Sequence, residues 1–367
     1  MPAYVCSLVR EVQVVGASAS SKLQAHTVFF GGGTPSLLTA KQFESILDSI
    51  HSGFDLASDA EISLEANPGT CSRECLSDLY GLGFNRISFG VQSANPEELR
   101  LLERIHDYSD VVEAVKWSRQ AGFENINLDL IYGLPEQTLE RWKNTLNLIL
   151  GLHPEHLSLY ALTLEHGTPF GRWASRGVLS TPDPDAAAEM YEWAGDRLAV
   201  AGYAQYEISN WSKPGRQCRH NLQYWRNLHY LGFGAGAHGY AGGFRYSNVL
   251  RIKTYISRLE ESASHDHVFP LSPAAVNHHR NTLHEDMQET MLTGLRLTQE
   301  GASANVFRER FGRELPDVFG REIDDLIRLG LLEWSNDVGS SNPDKRIRLS
   351  KRGRLLGNQV FIRFVED

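Results

Sequence analysis

An α/β fold organised on a parallel sheet is predicted by three observations. Between Val28 and about Thr163, apolar runs of strand length alternate with helical segments at about thirty-residue spacing. Such alternation builds parallel strands through right-handed crossovers. The first run, Val28-Phe29-Phe30, meets three glycines and then Thr34-Pro35-Ser36. Glycines at a strand end allow a sharp turn and leave room for a ligand against exposed N–H groups. The four later runs also end in polar residues.

The elements follow in order. Tyr4, Val5, Leu8, Val9 and Val12 recur at helical spacing and Gly16 closes the pattern, so residues 1–24 are expected to be helical. Strands are predicted at 27–31, 60–66, 85–91, 125–131 and 157–163. Five such strands make an open sheet or most of a barrel. Phe43, Ile46, Leu47 and Ile50 form one helical face behind a Thr39/Gln42 capping box. Asn95-Pro96-Glu97-Glu98 starts another helix, and Thr138 caps one that carries Trp142, Leu146 and Ile149. Cys71 and Cys75 read as helix residues on one face with Leu79.

Residues 164–250 are less regular, with a helix at 184–201 and a glycine-spaced run from Leu231 to His238 that reads as close backbone packing. Residues 251–280 are polar, contain His265, His267, His278 and His279, and read as a solvated linker. From about residue 284, helix, helix and a small hairpin (331–334, 346–349) suggest a winged-helix-like unit. That unit shows no basic stripe, which argues against DNA binding. The expected domains are 1–170, 171–280 and 281–367.

With 367 residues, 41% hydrophobic and 22% charged, the chain has the composition of a globular protein. A net charge of −9 argues against a broad nucleic-acid or anionic-membrane surface. No apolar run approaches the roughly 18 residues of a membrane span. No signal peptide is visible, so a cytoplasmic location is expected. Four scattered cysteines are too few for a disulfide framework.

In parallel-strand barrels function sits where the strands end. The five ends here offer Gly31 to Thr34; Glu65; Gln92 and Ser93; Asp129; and Ser158, Tyr160 and Thr163. Arg104, placed on the helix after the third strand, is a candidate cation. Two acids suit an ammonium and a ribose diol, while an arginine and loop N–H groups suit a carboxylate.

The segments GGGTPS, EANPGT, RISFGVQS, NLDLIYGLPEQT, HLSLYALTLEHGTPF, YEISN and CRHNLQYW occur in this order. Together they closely resemble the radical S-adenosylmethionine (SAM) proteins of the oxygen-independent coproporphyrinogen III oxidase type, over nearly the whole chain. The resemblance implies a partial, TIM-like (β/α)6 barrel with a C-terminal accessory domain. It implies SAM contacts at Gly32, Gly33, Thr34, Glu65, Gln92, Arg104, Asp129 and Thr163.

One branch of that family, HemW-like, acts as a haem chaperone and carries H-N-x-x-Y-W, here His220, Asn221, Tyr224 and Trp225. Histidine is a common axial ligand of haem iron and tyrosine a less common one. Lys213, Arg216, Arg219 and Arg226 form a local basic cluster suited to propionates. The implied partners are haem or a porphyrin and haem-accepting apo-proteins, with any membrane association made only through an acceptor. The alternatives are the oxidase itself, which decarboxylates coproporphyrinogen III in porphyrin biosynthesis, and a plain interaction scaffold.

The family's 4Fe–4S cluster is held by a C-x3-C-x2-C loop after the first barrel strand. That strand and that loop are absent from this sequence, so no cluster ligand is expected in it; a truncated gene model is favoured over a cluster-free descendant that only binds. Cys71 and Cys75 share the C-x3-C spacing but lack the third cysteine.

Overall fold

The computed structural model describes all residues except 166–167, 178–179, 182, 262–266, 337–343 and 366–367. In chain order, α1 (Pro2–Ser18) leads to β1 (Leu23–Phe30), α2 (Ala40–Gly53) and β2 (Phe54–Ala66). Then come α3 (Arg73–Gly81), β3 (Arg86–Gln92), α4 (Pro96–Leu101), α5 (Tyr108–Ala121), β4 (Ile126–Tyr132), α6 (Leu139–Leu150) and β5 (His156–Ala161). After α7 (Pro169–Ser175) and α8 (Pro184–Val200), β6 (Ala204–Glu207) and β7 (Asn210–Ser212) complete one seven-stranded sheet, ordered β1-β2-β3-β4-β5-β7-β6. Strands β2 to β5 are parallel, while β7 runs antiparallel to both β5 and β6.

The chain divides into two compact units. The second comprises Phe29–Leu37 and Ile62–Cys218 and holds most of the sheet. Its helices start where side chains satisfy their first N–H groups: Ser72 caps α3, Asn95 caps α4 and Thr138 caps α6. Trp142, Leu146 and Ile149 of α6 are fully buried. Cys71 lies just before the Ser72 cap, so it is not a helix residue, although Cys75 is. Arg104 lies between α4 and α5, because α4 ends at Leu101.

The first unit comprises Met1–Val28, Leu38–Glu61 and Arg219–Asp367. It continues with α9 (Arg219–Trp225), β8 (His238–Ala241), β9 (Phe244–Asn248), α10 (Ile252–Glu261) and β10 (Ala275–Arg280). Strands β8, β9 and β10 form a second sheet. The expected linker is therefore a helix and a strand. Tyr255 and Leu259 bury one side of α10, and His278 and His279 are exposed on β10. His265 lies outside the described residues. The C-terminal part runs α11 (Leu283–Gly294), β11 (Ala302–Ser303), α12 (Ala304–Phe311), α13 (Leu315–Arg328), β12 (Leu332–Asn336) and β13 (Lys345–Leu349). The expected hairpin gains β11 as a third strand, in the order β11-β13-β12.

Two features hold α1 in this unit. Gly16 lies against α2, where an added Cβ would stand 3.1 Å from the Cα of Gly53. Glu11 is 1% exposed and accepts four hydrogen bonds, two on each oxygen. Gly234 N–H (2.8 Å) and Tyr255 O–H (2.6 Å) bind Oε2. Asn248 Nδ2 (2.7 Å) and Ser272 Oγ (2.6 Å) bind Oε1. Burial raises its pKa, and the four donors oppose that shift. Gly234 has φ +101°, and a Cβ there would stand 2.7 Å from Tyr4 Oη, so the glycine run is close packing against α1.

Removing the Glu11 carboxylate orphans four buried donors. Glu11→Ala is expected to lower stability by at least ~2 kcal/mol, with Glu11→Gln milder; urea unfolding of the full chain measures both.

Candidate functional site

In the second unit, strand register sets the chemistry. Parallel pairing places Glu65 opposite Ser88, Ser88 opposite Asn127, and Asn127 opposite His156. Two residues further along the strands, Gly90 faces Asp129 and Asp129 faces Ser158. Side chains alternate along a strand, so both rows share one face of the sheet. Leu64, Ile87, Phe89, Leu128 and Leu157 turn to the other face and are fully buried.

The polar rows form one connected network. Ser88 Oγ donates to Asp129 Oδ2 at 2.9 Å. Asn127 Nδ2 donates to Ser88 Oγ at 2.7 Å and to Asp129 Oδ1 at 2.8 Å. With its amide committed to donation, Asn127 Oδ1 accepts from Ser158 Oγ (3.2 Å) and from His156 Nδ1 (2.5 Å). His156 Nε2 then accepts from Tyr206 Oη at 2.7 Å, and Tyr206 Oη accepts from Cys218 N–H at 3.3 Å. The hydrogen-bond directions therefore run from Cys218 toward Asp129. Burial raises the Asp129 pKa, while the polar side chains of Ser158, Asn127 and Ser88 around it and the charge of Arg86 oppose this. Burial holds His156 well below the usual imidazole range, helped by the Arg86 charge.

Glu65 stands beside this network. Its Oε2 accepts the Gly32 N–H at 3.0 Å. Burial raises its pKa first; the Gly32 hydrogen bond lowers it, Asp129 raises it, and Arg86 lowers it. Arg86 is only 2% exposed and is the buried cation that acts on both acids. Gly32 (φ +79°) and Gly33 (φ +62°) take the left-handed conformation, and added Cβ atoms there would meet nothing within 4 Å. The loop thus offers open backbone. Thr34 is partly buried, and its carbonyl accepts from Leu37 N–H.

Gln92 sits at a bulge where the β3–β4 register shifts, with φ +67°. Its amide folds back over Gly90, where a Cβ would stand 3.0 Å from Gln92 Nε2 and 3.5 Å from Asn67 Oδ1. Arg104 Nη1 donates to the same Asn67 oxygen at 3.3 Å. Gln92, Asn67 and Arg104 therefore converge. Thr163 is exposed beyond β5. Ser93 is buried and donates to Glu98 Oε2 at 2.5 Å, so it supports the start of α4.

In the first unit, α9 carries the H-N-x-x-Y-W residues. The buried Glu61 carboxylate on β2 accepts the N–H groups of Arg219 (3.1 Å) and His220 (3.0 Å). The His220 ring is bonded at both nitrogens: Nδ1 to Thr27 Oγ1 (2.8 Å) and Nε2 to Tyr224 Oη (2.8 Å). Tyr224 lies edge-on to His220 and to Tyr230, with ring centroids 5.0 and 4.6 Å apart. Asn221 is partly buried. The Arg296 guanidinium lies 4.4 Å from the Trp225 ring centroid and covers one face, and Trp225 Nε1 is buried without a hydrogen-bond partner among the described residues. The basic side chains near this motif already face acids. Arg219 pairs with Asp59 and Arg226 with Glu300, while in the second unit Lys213 pairs with Glu155 and Arg216 with Glu124.

Comparison with known proteins now adds to this geometry. Residues 10–149 match the radical SAM superfamily model and residues 281–356 match the HemN C-terminal domain model. The chain is 40% identical to the "Heme chaperone HemW" of Bacillus subtilis, over 93% of this chain and 86% of that protein. The chain belongs to the HemW family. The Lactococcus lactis protein named heme chaperone HemW is 37% identical, over 100% of this chain and 90% of that one. The solved structure of Escherichia coli coproporphyrinogen III oxidase (HemN), a radical SAM enzyme, superposes with a TM-score of 0.78 at 23% identity, over 98% of this chain and 82% of that chain. At that identity the likeness is one of fold. This HemW-family chain therefore has the partial α/β barrel with a C-terminal accessory domain that its sequence predicts.

Sequence reading missed Arg86, Ser88, Asn127 and His156. The signal was available: Ile-Ser-Leu-Glu, Arg-Ile-Ser-Phe, Ile-Asn-Leu-Asp and His-Leu-Ser-Leu alternate strictly polar and apolar. Parallel strands buried on both faces normally read as continuous apolar runs. Polar residues at every second position therefore mark a chemically equipped interior. Among the described residues no group of three candidate metal ligands gathers. The Cys71 thiol donates to Cys75, which holds Cys75 down at about 7. Cys6 is exposed and Cys218 buried.

His156 is expected to stay neutral, with its proton on Nδ1. Its folded pKa lies below the ordinary 6.5, so the unfolded chain binds the extra proton and stability falls as pH drops from 6.5 toward the depressed value. Nitrogen-15 histidine NMR between pH 5 and 8 reads this as one resonance set that does not titrate.

Proposed function

We propose that this chain binds haem and transfers it to apo-proteins, and that the polar strand ends of its second unit hold S-adenosylmethionine. What carries the first part is the extent of likeness to proteins named heme chaperones, 40% identity across 86% of the B. subtilis relative. His220, Asn221, Tyr224 and Trp225 stand as the haem-contact set. His220 fits the group: its backbone is tied to Glu61 and its ring to Thr27, so the imidazole is held on a fixed support. A propionate reaching Arg219 or Arg226 would exchange with a carboxylate already in place.

S-adenosylmethionine fits the second unit. The glycine loop at Gly32, Gly33 and Thr34, whose Gly32 N–H is already given to Glu65, suits its carboxylate, with Arg104 and Gln92 near the same region. Glu65 suits the ammonium and Asp129 the ribose diol, and Thr163 lines the rim. Asp129 has its donors fixed by Ser88 and Asn127, leaving it oriented as an acceptor. No 4Fe–4S chemistry is routed through these residues, since they supply no cluster ligands. None of the described helices is long and apolar enough to cross a membrane.

Haemin added to the full chain is expected to produce a shifted Soret band; a spectrum that is the sum of the separate components overturns the haem reading. Calorimetry with S-adenosylmethionine tests the second site. Asp129→Asn removes a charge-assisted hydrogen bond and should weaken binding roughly 10–100-fold. Affinity should also fall on acidification before ordinary carboxylates titrate, because burial raises the pKa values of both Glu65 and Asp129 and the ligand needs them ionised. A flat pH profile or an undiminished Asp129→Asn would remove the acids from the site.

A further inference from the structure

We propose that Thr27 is the positioning residue for the haem ligand His220, and that the Tyr224 hydroxyl is a placeholder that haem iron replaces. This rests on the haem reading above. The argument begins with the two hydrogen bonds on the ring, each 2.8 Å long. A neutral imidazole carries one N–H and one lone pair. A phenol is a stronger donor than an aliphatic hydroxyl, so Tyr224 Oη–H donates to the lone pair of Nε2. The proton then sits on Nδ1 and is donated to Thr27 Oγ1. Metal-bound histidines share this arrangement, in which the remote N–H is given to an acceptor that fixes the tautomer and raises ligand basicity. Thr27 therefore presents Nε2 as the ligating atom before any iron arrives.

The support comes from the sheet on the Thr27 side and from the same short helix on the Tyr224 side. Thr27 lies within β1, 193 residues before His220, and is partly buried. Glu61 pins the His220 backbone from β2. Tyr224 shares only the short helix α9 with His220, four residues on. Its ring lies edge-on to His220 and to Tyr230. When iron binds, a dative Fe–Nε2 bond forms and one O–H···N hydrogen bond breaks. The phenol keeps its proton, Nδ1 keeps its own, and no electron is transferred.

The test uses the full chain, haemin and two independent readouts. In the haem-free protein, nitrogen-15 histidine NMR should show His220 protonated at Nδ1; protonation at Nε2 overturns the proposal without any variant. In haemin titrations, Tyr224→Phe should bind faster and about 2–10-fold tighter, the range of one neutral hydrogen bond. Thr27→Val should bind about 2–10-fold more weakly with a changed Soret band, and Thr27→Ser should restore both. A Tyr224→Phe chain that binds no tighter, or a Thr27→Val chain indistinguishable from the parent, overturns the assignment. If His220→Ala keeps the parent spectrum, the motif histidine is not the ligand and the proposal falls while haem binding stands. If the parent shows no Soret shift, the haem reading falls, and the tautomer measurement separately reports what Thr27 does.

Discussion

The register of four parallel strands governs the second unit. Once Glu65 pairs with Ser88, Ser88 with Asn127 and Asn127 with His156, the side chains of one row must share a face. A slip of one residue would send Asn127 and Asp129 among the helices and bring leucines inward. The apolar positions on the opposite face, Leu64, Ile87, Leu128 and Leu157, prevent that slip because each is fully buried. Packing on one side of the sheet thus fixes chemistry on the other. The same pairing explains why the acids differ in support: Asp129 lies among donors from neighbouring strands, whereas Glu65 leans on a loop N–H.

Much of this was legible in the sequence because periodicity reports burial directly. The faces of α2 and α6 and the Thr39 and Asn95 caps stand where the pattern placed them, and a strand occupies each of the five expected runs, although α1 ends at Ser18 and β1 and β2 begin earlier than expected, at Leu23 and Phe54. Linked motifs carried the family, since many short segments in order specify more than any one of them. Other features depended on partners distant in the chain. Arg104 reads as a free-standing cation, yet it meets Asn67; the buried cation is Arg86, at the start of a strand where charge is unexpected. The stretch 251–280 reads as linker because its exposed residues dominate the composition, while few apolar residues, Tyr255 and Leu259 foremost, bury one side of α10. His220 gave no hint of Thr27, and Gln92 gave no hint of its bulge, because both follow from strand pairing.

The two proposed ligand sites differ in how they are prepared. The strand-end acids are raised in pKa by burial, so charge on them is costly until a cationic or hydroxyl-bearing partner arrives. The histidine on α9 has its hydrogen bonds complete, so a ligand there must exchange for something already bound.

The carboxylate of Glu11 has a consequence for the order in which the protein is made. Its four donors lie 223 to 261 residues downstream. Glu11 leaves the ribosome long before Gly234, Tyr255 and Ser272 exist, so its carboxylate stays hydrated while the rest of the chain is made. Docking must wait for the far segment and close a very large loop, a slow kind of contact. The Glu11 network therefore stays unformed until Ser272 has been made, an interval in which holdase chaperones and proteases compete for the incomplete fold.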